Sequence, residues 1–82
     1  MTEQEIKLLG FEKADEHDGE SPFYYYTYNV ARGFEFISCA NDEVDESGEW
    51  YIEFFESDPT IQFTKFAEVQ SLINLLEKRI IK

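Results

Sequence analysis

An aromatic run at positions 23–30 constrains the fold more than any other stretch of this 82-residue chain. It reads Phe-Tyr-Tyr-Tyr-Thr-Tyr-Asn-Val, and such side chains favour strands because they pack well on a half-buried pleated surface. Side chains alternate between the two sides of a strand, which places Tyr24 and Tyr26 on one side and Tyr25 and Thr27 on the other. Both sides are aromatic, so the sequence predicts a strand that can be covered on either side.

Further strands are predicted on both sides of an acidic turn that follows the aromatic run. Gly33 suits the positive φ of a tight hairpin, and strands are predicted over residues 34–40 and 49–56, with a short fourth strand at 61–63. Residues 12–22 are acidic and contain Gly and Pro, which predicts a surface loop before the aromatic strand.

A helix is predicted at each end of the chain. Thr2 and Glu5 have the spacing of a capping box and begin a short helix that ends near Gly10. Thr64 is the predicted N-cap of a longer helix over residues 66–80. Its apolar residues recur at spacings of three and four: Phe66, Val69, Ile73, Leu76 and Ile80. The predicted fold class is α+β, an antiparallel three- or four-stranded meander flanked by a short N-terminal helix and a long C-terminal amphipathic helix packed on one face. One domain spans the chain.

The charge distribution excludes several classes of partner. The formal net charge is −11, and Arg32 is the one basic residue among thirteen acidic ones between Ala14 and Thr64. Nucleic-acid binding depends on Lys and Arg that displace counterions, so neither nucleic acid nor an anionic membrane is an expected partner. Cys39 is the single cysteine and no apolar run approaches the roughly 20 residues that cross a bilayer. We therefore expect a soluble, cytoplasmic protein.

The sequence offers no catalytic constellation, and we predict neither an enzyme nor a cofactor. His17 is the only histidine and lies in the acidic loop without a nearby nucleophile. Cys39 lacks the positive neighbours that activate a thiol. Glu35 and Glu53, alone on otherwise apolar strands, are the closest approach to a carboxylate pair, and solvent-facing strand residues are the simpler interpretation.

Calcium binding is a weaker alternative for the acidic turn. When Gly48 is aligned with the sixth position of an EF-hand loop, Glu43, Asp45 and Ser47 occupy the first, third and fifth. Phe54 then falls where the bidentate Glu should be, and the flanking segments are predicted strands rather than helices. The pattern therefore favours an acidic hairpin loop with no bound metal.

Two surfaces are candidates for binding a protein partner. The first is an aromatic and apolar set that alternation places on one side of the sheet: Tyr25, Ile37, Tyr51 and Phe55. It is either half-covered structural surface or a face for a partner or a second copy, since Tyr-rich patches are favoured in interfaces. The first helix could instead cover this face, which would make the aromatic strand core on both sides.

The second surface is the densest acidic group: Asp42, Glu43, Asp45, Glu46 and Glu49. Carboxylates on a small rigid scaffold can imitate the phosphates of DNA and occupy a basic cleft, which predicts a DNA-mimic inhibitor as an alternative. A solvated acidic surface that aids solubility is the plainer interpretation.

Segments spread over nearly the whole chain carry a general resemblance: Leu8-Leu9-Gly10-Phe11, Pro22-Phe23-Tyr24-Tyr25-Tyr26, Gly48-Glu49-Trp50, and Phe63-Thr64 leading into residues 69–76. Together they resemble, in style and without a specific motif, the small acidic uncharacterised proteins of bacterial phages and mobile elements. The resemblance implies no reaction, cofactor or site residue, and it favours binding to a host or phage protein. The leading hypothesis is a non-enzymatic interaction module that binds a basic protein, or its own second copy as a homodimer.

Overall fold

A computed structural model describes residues 1–16, 23–44 and 46–81. The elements are α1 (Glu3–Leu8), β1 (Glu12–Glu16), β2 (Phe23–Ala31), β3 (Phe34–Ser38), a 3₁₀ turn (Asn41–Glu43), β4 (Ile52–Phe54), β5 (Gln62–Phe63) and α2 (Phe66–Lys78). The strands form one sheet in the order β1-β2-β3-β4-β5, and every neighbouring pair is antiparallel. The α+β class is confirmed, and the meander has five strands rather than three or four.

Strand β1 occupies part of the segment that the sequence predicted as a loop. It pairs with β2 from Glu12 opposite Thr27 to Glu16 opposite Phe23. Four of its five residues are charged, which is typical of an edge strand because charge discourages pairing with another chain. The loop prediction is wrong for residues 12–16, since the long free edge of β2 supplies a pairing partner that composition does not reveal. His17 and the rest of that predicted loop lie outside the described residues.

One side of the sheet, called here the core face, carries Tyr24, Tyr26, Tyr28, Phe36, Ile52 and Phe54. Tyr26, Phe36 and Ile52 are at most 2% exposed. The rings of Phe36 and Phe54 stack with centroids 4.9 Å apart. These side chains form the centre of the hydrophobic core.

Both helices pack on the core face. Ile6 of α1 and Val69 and Ile73 of α2 are buried in the same cluster as the core-face side chains. The hydroxyl of Tyr26 donates to Glu3 Oε2 of α1 at 2.6 Å. The alternative in which α1 covers the opposite side of the sheet is therefore wrong.

The observed capping of α1 agrees with the sequence prediction, whereas both ends of α2 differ from it. The backbone N–H of Glu5 donates to Thr2 Oγ1 at 3.2 Å and the N–H of Thr2 donates to Glu5 Oε1 at 2.9 Å, which confirms the capping box. The N-cap of α2 is Lys65, without a side-chain hydrogen bond, rather than Thr64. The helix ends at Lys78, so the predicted stripe member Ile80 lies beyond it and is 38% exposed.

The ammonium group of Met1 joins three segments of the fold. It donates to Glu49 Oε1 at 2.8 Å, to the Trp50 carbonyl at 3.3 Å and to the Thr64 carbonyl at 2.7 Å. The Trp50 N–H in turn donates to the Met1 carbonyl at 2.8 Å. Because Trp50 bonds to Met1 instead of a strand, β4 begins at Ile52, and the predicted strand 49–56 is shorter than expected.

Strand β3 also ends earlier than the predicted residues 34–40. Where the chain leaves the sheet after Ser38, side chains replace backbone carbonyls as acceptors for β2. Ser38 Oγ accepts from the Tyr26 N–H at 2.8 Å, and Asn41 Oδ1 accepts from the Tyr24 N–H at 2.9 Å. These two bonds satisfy two N–H groups of β2 beyond the last residue of β3.

Candidate interaction surface

The second side of the sheet, called here the open face, carries Tyr25, Thr27, Ile37, Tyr51 and Glu53. Thr27 lies opposite Ile37, and Ile37 lies opposite Glu53. Opposite residues of an antiparallel pair share a side of the sheet, so Thr27, Ile37 and Glu53 form a row across three strands, with Tyr25 two residues before Thr27 on the same side and Tyr51 just before β4. In the described part of the chain the helices pack on the core face, and neither one covers this row.

The structure brings the four aromatic and apolar residues of the first predicted surface to the open side of the sheet. Tyr25, Ile37 and Tyr51 are each partly exposed. Phe55 is 51% exposed and lies at the hairpin end, where its N–H donates to the Glu35 carbonyl at 2.9 Å. Alternation along the strands was the signal that grouped them.

Cys39 follows β3 directly, is only 2% exposed and belongs to the buried core cluster, against which Tyr51 packs. Its N–H donates to the Tyr51 carbonyl at 3.0 Å, which extends the β3–β4 pairing by one residue. Burial raises the pKa of the Cys39 thiol. The thiol is therefore protonated at neutral pH and acts as a small apolar side chain beside Tyr51.

Tyr51 is fixed by a carboxylate of the acidic turn. Its hydroxyl donates to Glu43 Oε2 at 3.2 Å, while Glu43 Oε1 accepts from the Ala40 N–H at 2.9 Å. Burial, followed by the nearby Glu43 carboxylate, raises the pKa of Tyr51 to about 12. One side chain thus closes the 3₁₀ turn and orients an aromatic ring of the open face.

The members of the predicted acidic group have different roles. Asp42 and Glu46 are exposed. Glu43 is hydrogen-bonded as described, and Glu49, whose side chain is 56% exposed, pairs with the Met1 ammonium. Asp45 lies outside the described residues. Glu43 and Glu49 therefore serve the fold as well as adding to the negative surface.

Carboxylates border the aromatic residues of the open face. Strand pairing places Glu12, Glu35 and Glu53 on this side, and Glu53 Oε2 accepts from Gln62 Nε2 at 3.3 Å. Among the described strand residues that share this side, none is Lys or Arg. The surface therefore combines apolar contact area with negative charge only.

The structure also locates the residues that the sequence suggested for catalysis and metal binding. Glu35 and Glu53 are partly exposed on the open side of the sheet, where solvent reaches both. Within the described ranges, no three His, Cys, Asp or Glu side chains are grouped so as to hold a metal ion. Neither helix of the described chain combines the length and apolar composition that crossing a bilayer requires.

The hairpin end of the sheet holds a groove that the sequence did not predict. Its lining includes Phe34, Phe54, Phe55 and Ser57. Phe34 lies on the same side of β3 as the buried Phe36, yet it is 38% exposed because it directly follows the hairpin turn at the sheet margin. The signal that was available is the density of Phe residues around Gly33 and after Glu53.

The fold and this surface define a small α+β protein whose antiparallel sheet is covered on one side by two helices and is left open on the other by residues 1–16, 23–44 and 46–81. No protein-family model matches the chain, and neither the curated proteins nor the solved structures with which it was compared contain a match.

Proposed function

We propose that this protein is a non-enzymatic interaction module that binds a basic protein partner through the open face. The observation that carries the proposal is the set of partly exposed side chains Tyr25, Ile37 and Tyr51 on the open face, bordered by carboxylates. Aromatic residues at the centre of a patch with charged residues at its rim are the usual anatomy of a protein interface.

The charge of the chain selects between a basic partner and a second copy. Two copies that met through this face would bring Glu12, Glu35 and Glu53 of each chain towards like charges, in molecules of formal net charge −11. A partner with Lys or Arg around an apolar centre gains from the same carboxylates. Electrostatic attraction also speeds its association.

The proposal includes two further elements that rest on the sequence. A cytoplasmic setting is favoured by the single cysteine. An accessory role in a bacterial phage or mobile element is favoured by the resemblance described above. DNA mimicry stays a second prediction, supported by the exposed carboxylates of Asp42 and Glu46.

A synthetic amphipathic helical peptide tests the proposal directly. The peptide has a leucine stripe bordered by lysines and is called here the leucine–lysine peptide; its matched controls replace every lysine by glutamate or every leucine by serine. We expect binding only to the leucine–lysine peptide, measured by fluorescence anisotropy. Ile37→Gln should weaken it about fivefold or more, because central interface residues contribute more than about 1 kcal/mol.

The control variant is Leu75→Gln, on α2, where Leu75 is 48% exposed and lies across the sheet from the open face. It should bind the peptide as the intact protein does. Equal affinity of Ile37→Gln and the intact protein, together with lost binding in Asp42→Asn or Glu46→Gln, would contradict the proposal and favour mimicry. Mimicry also predicts a much steeper loss of binding with added salt. A dimer in sedimentation that Ile37→Gln dissociates would favour self-association instead.

A further inference from the structure

The groove at the hairpin end of the sheet continues the open face around the margin of the strands. Phe34 and Phe54 come from the core face, whereas Glu35 and Phe55 come from the open side. A second concavity shares Phe34, Glu35 and Phe55 and adds Glu56. The two hollows therefore adjoin and are reached from the proposed binding surface.

Aromatic rings form the wall of this groove. The centroids of Phe34 and Phe54 are 5.3 Å apart with an interplanar angle of 74°. Phe34 is 38% and Phe55 51% exposed, so ring surface remains accessible to a ligand. Two ring faces at a steep angle provide more than one surface over which a cation can lie.

The backbone beside Phe55 has an unusual conformation. Glu56 has φ of 59°, in the left-handed region that residues other than glycine seldom adopt. Such positions persist where the surrounding structure holds them, and they concentrate at ligand-binding sites. Glu56 is the residue directly after Phe55, and both line the hollow where the groove meets the open side.

The size of the groove limits its occupant. Each hollow has a volume of about 230 Å³, which is below the roughly 300–1,000 Å³ of sites that hold drug-sized molecules. One long side chain fits either hollow.

The carboxylates of the groove favour a bound side chain that is positively charged. Glu35 and Glu56 both line it, and neither carboxylate forms a hydrogen bond or ion pair with another described residue. Arg32, in the adjacent hairpin turn, also forms no ion pair with a described residue. The negative charge is therefore not neutralised within the described fold and favours a cation.

We infer that this groove binds one arginine side chain of the basic partner, an inference that rests on the proposed function. A guanidinium stacks on aromatic faces, is more weakly hydrated than an ammonium and donates to carboxylates in a planar fork. Phenyl walls with a carboxylate at the rim match each of these properties. A lysine ammonium gains the charge attraction but loses the planar stacking and the forked hydrogen bonds.

Ser57 adds a polar group to the same wall. Its Oγ is the one buried side-chain N or O atom in the described part of the chain that has no hydrogen-bond partner. A buried hydroxyl without a partner costs free energy. A guanidinium N–H that reaches this oxygen as the phenyl rings adjust would remove that cost.

The test uses N-acetyl-arginine amide as the probe, with the lysine and citrulline analogues as controls. Citrulline has nearly the same shape as arginine but no charge. Titration followed by amide chemical shifts should show arginine binding with a Kd on the order of millimolar, as expected for a single side chain. Shifts should centre on Phe34, Glu35 and Phe55, lysine should bind more weakly and citrulline should not bind.

Two variants separate the contributions of ring and charge. Phe55→Leu keeps an apolar wall but removes the ring, and Glu35→Gln removes the charge; each should weaken arginine binding about threefold to tenfold. Glu46→Gln, which removes a carboxylate elsewhere, should leave it unchanged. Equal binding of citrulline and arginine, or absence of arginine binding at the groove, would overturn the inference.

The outcomes also separate this inference from the proposed function. If the leucine–lysine peptide binds and arginine does not, the open face remains the proposed interface and the inference about the groove is wrong. Arginine binding without peptide binding leaves the groove as an arginine site and contradicts the proposed function. If the proposed function and the inference are both right, replacing one border lysine of the peptide by arginine should increase its affinity. Phe55→Leu should abolish that increase in affinity.

Discussion

The two sides of the sheet are built from neighbouring residues of the same strands, yet they differ in what covers them. In β2, Tyr26 is 2% exposed while the adjacent Tyr25 is half-buried; in β3, Phe36 is inaccessible while the adjacent Ile37 is partly exposed. Composition does not explain the contrast, because both sides carry large apolar residues. The apolar faces of α1 and α2 decide it by packing on one side only.

Polar groups show the same contrast. On the core face the hydroxyl of Tyr28 donates to Glu77 Oε1 of α2 at 2.9 Å, as that of Tyr26 does to α1. These bonds tie each helix to the strand beneath it. On the open face Tyr51 bonds to the acidic turn instead, so the helices stabilise one side and leave the other available for binding.

The largest expected effect comes from a charge placed under α2. Ile73 is 4% exposed, and Ile73→Asp buries an unpaired carboxylate, which typically costs several kcal/mol. Because small domains are stable by only about 5–15 kcal/mol, we expect no cooperative thermal transition by circular dichroism. Asn74→Asp, at the exposed neighbouring position, should melt close to the intact protein. An unchanged melting temperature for Ile73→Asp would mean that α2 does not hold the core.

A matched pair of isoleucines compares the two faces directly. Ile52→Ala on the core face should lower the free energy of unfolding by about 2–5 kcal/mol, as expected for a fully buried side chain. Ile37→Ala on the open face should cost about 1 kcal/mol, because part of that side chain is already in water. Urea titration measures both. Equal losses would show that the open face is as well packed as the core.

Alkaline pH tests the environment of Tyr51. Its pKa is about 12 in the fold and 10.0 in the ordinary case, so the folded state keeps a proton that the unfolded chain releases. This contribution to stability is fully present below pH 10.0 and is lost as the pH rises to about 12. Tyr51→Phe should show a shallower decline over that range, and the tyrosinate absorbance of the five tyrosines should include a late step that this variant loses. Titration of all five near the ordinary pKa would contradict the assigned environment.

The smallest effect concerns the ion pair at Met1. Glu49→Gln removes the charge that pairs with the ammonium at 2.8 Å and should cost about 0.5–1 kcal/mol, as partly exposed pairs do. Glu46→Gln removes an exposed carboxylate, so it reduces the net negative charge by the same amount without breaking an ion pair. The difference between the two variants in urea titration isolates the ion pair, and a difference of zero would mean that the pair contributes nothing measurable.

Periodic features of the sequence predicted most of the fold. Alternation assigned Tyr24 and Tyr26 to one side of β2, and the helical stripe found Val69 and Ile73, because both follow from the geometry of a single element. Strand β1 could not be predicted in this way, since its charged residues carry no apolar pattern and it forms on the free edge of β2.

The remaining errors arise from contacts between distant segments. The start of β4 and the residues before α2 depend on the Met1 ammonium, which bonds to Trp50 and Thr64 far along the chain. The groove depends on Phe34 and Phe55 meeting at the margin of the sheet, which the spacing along the strands does not encode. The candidate surface itself followed from alternation, but which side remained open depended on helix packing.

Chemical-shift mapping with the leucine–lysine peptide tests the central claim most directly. If the open face binds the peptide, the largest amide shifts should fall at Tyr25, Ile37 and Tyr51, with small changes in α1 and α2. Largest shifts confined to Asp42 and Glu46, or spread along α2, would contradict the division of the sheet into a folding side and a binding side.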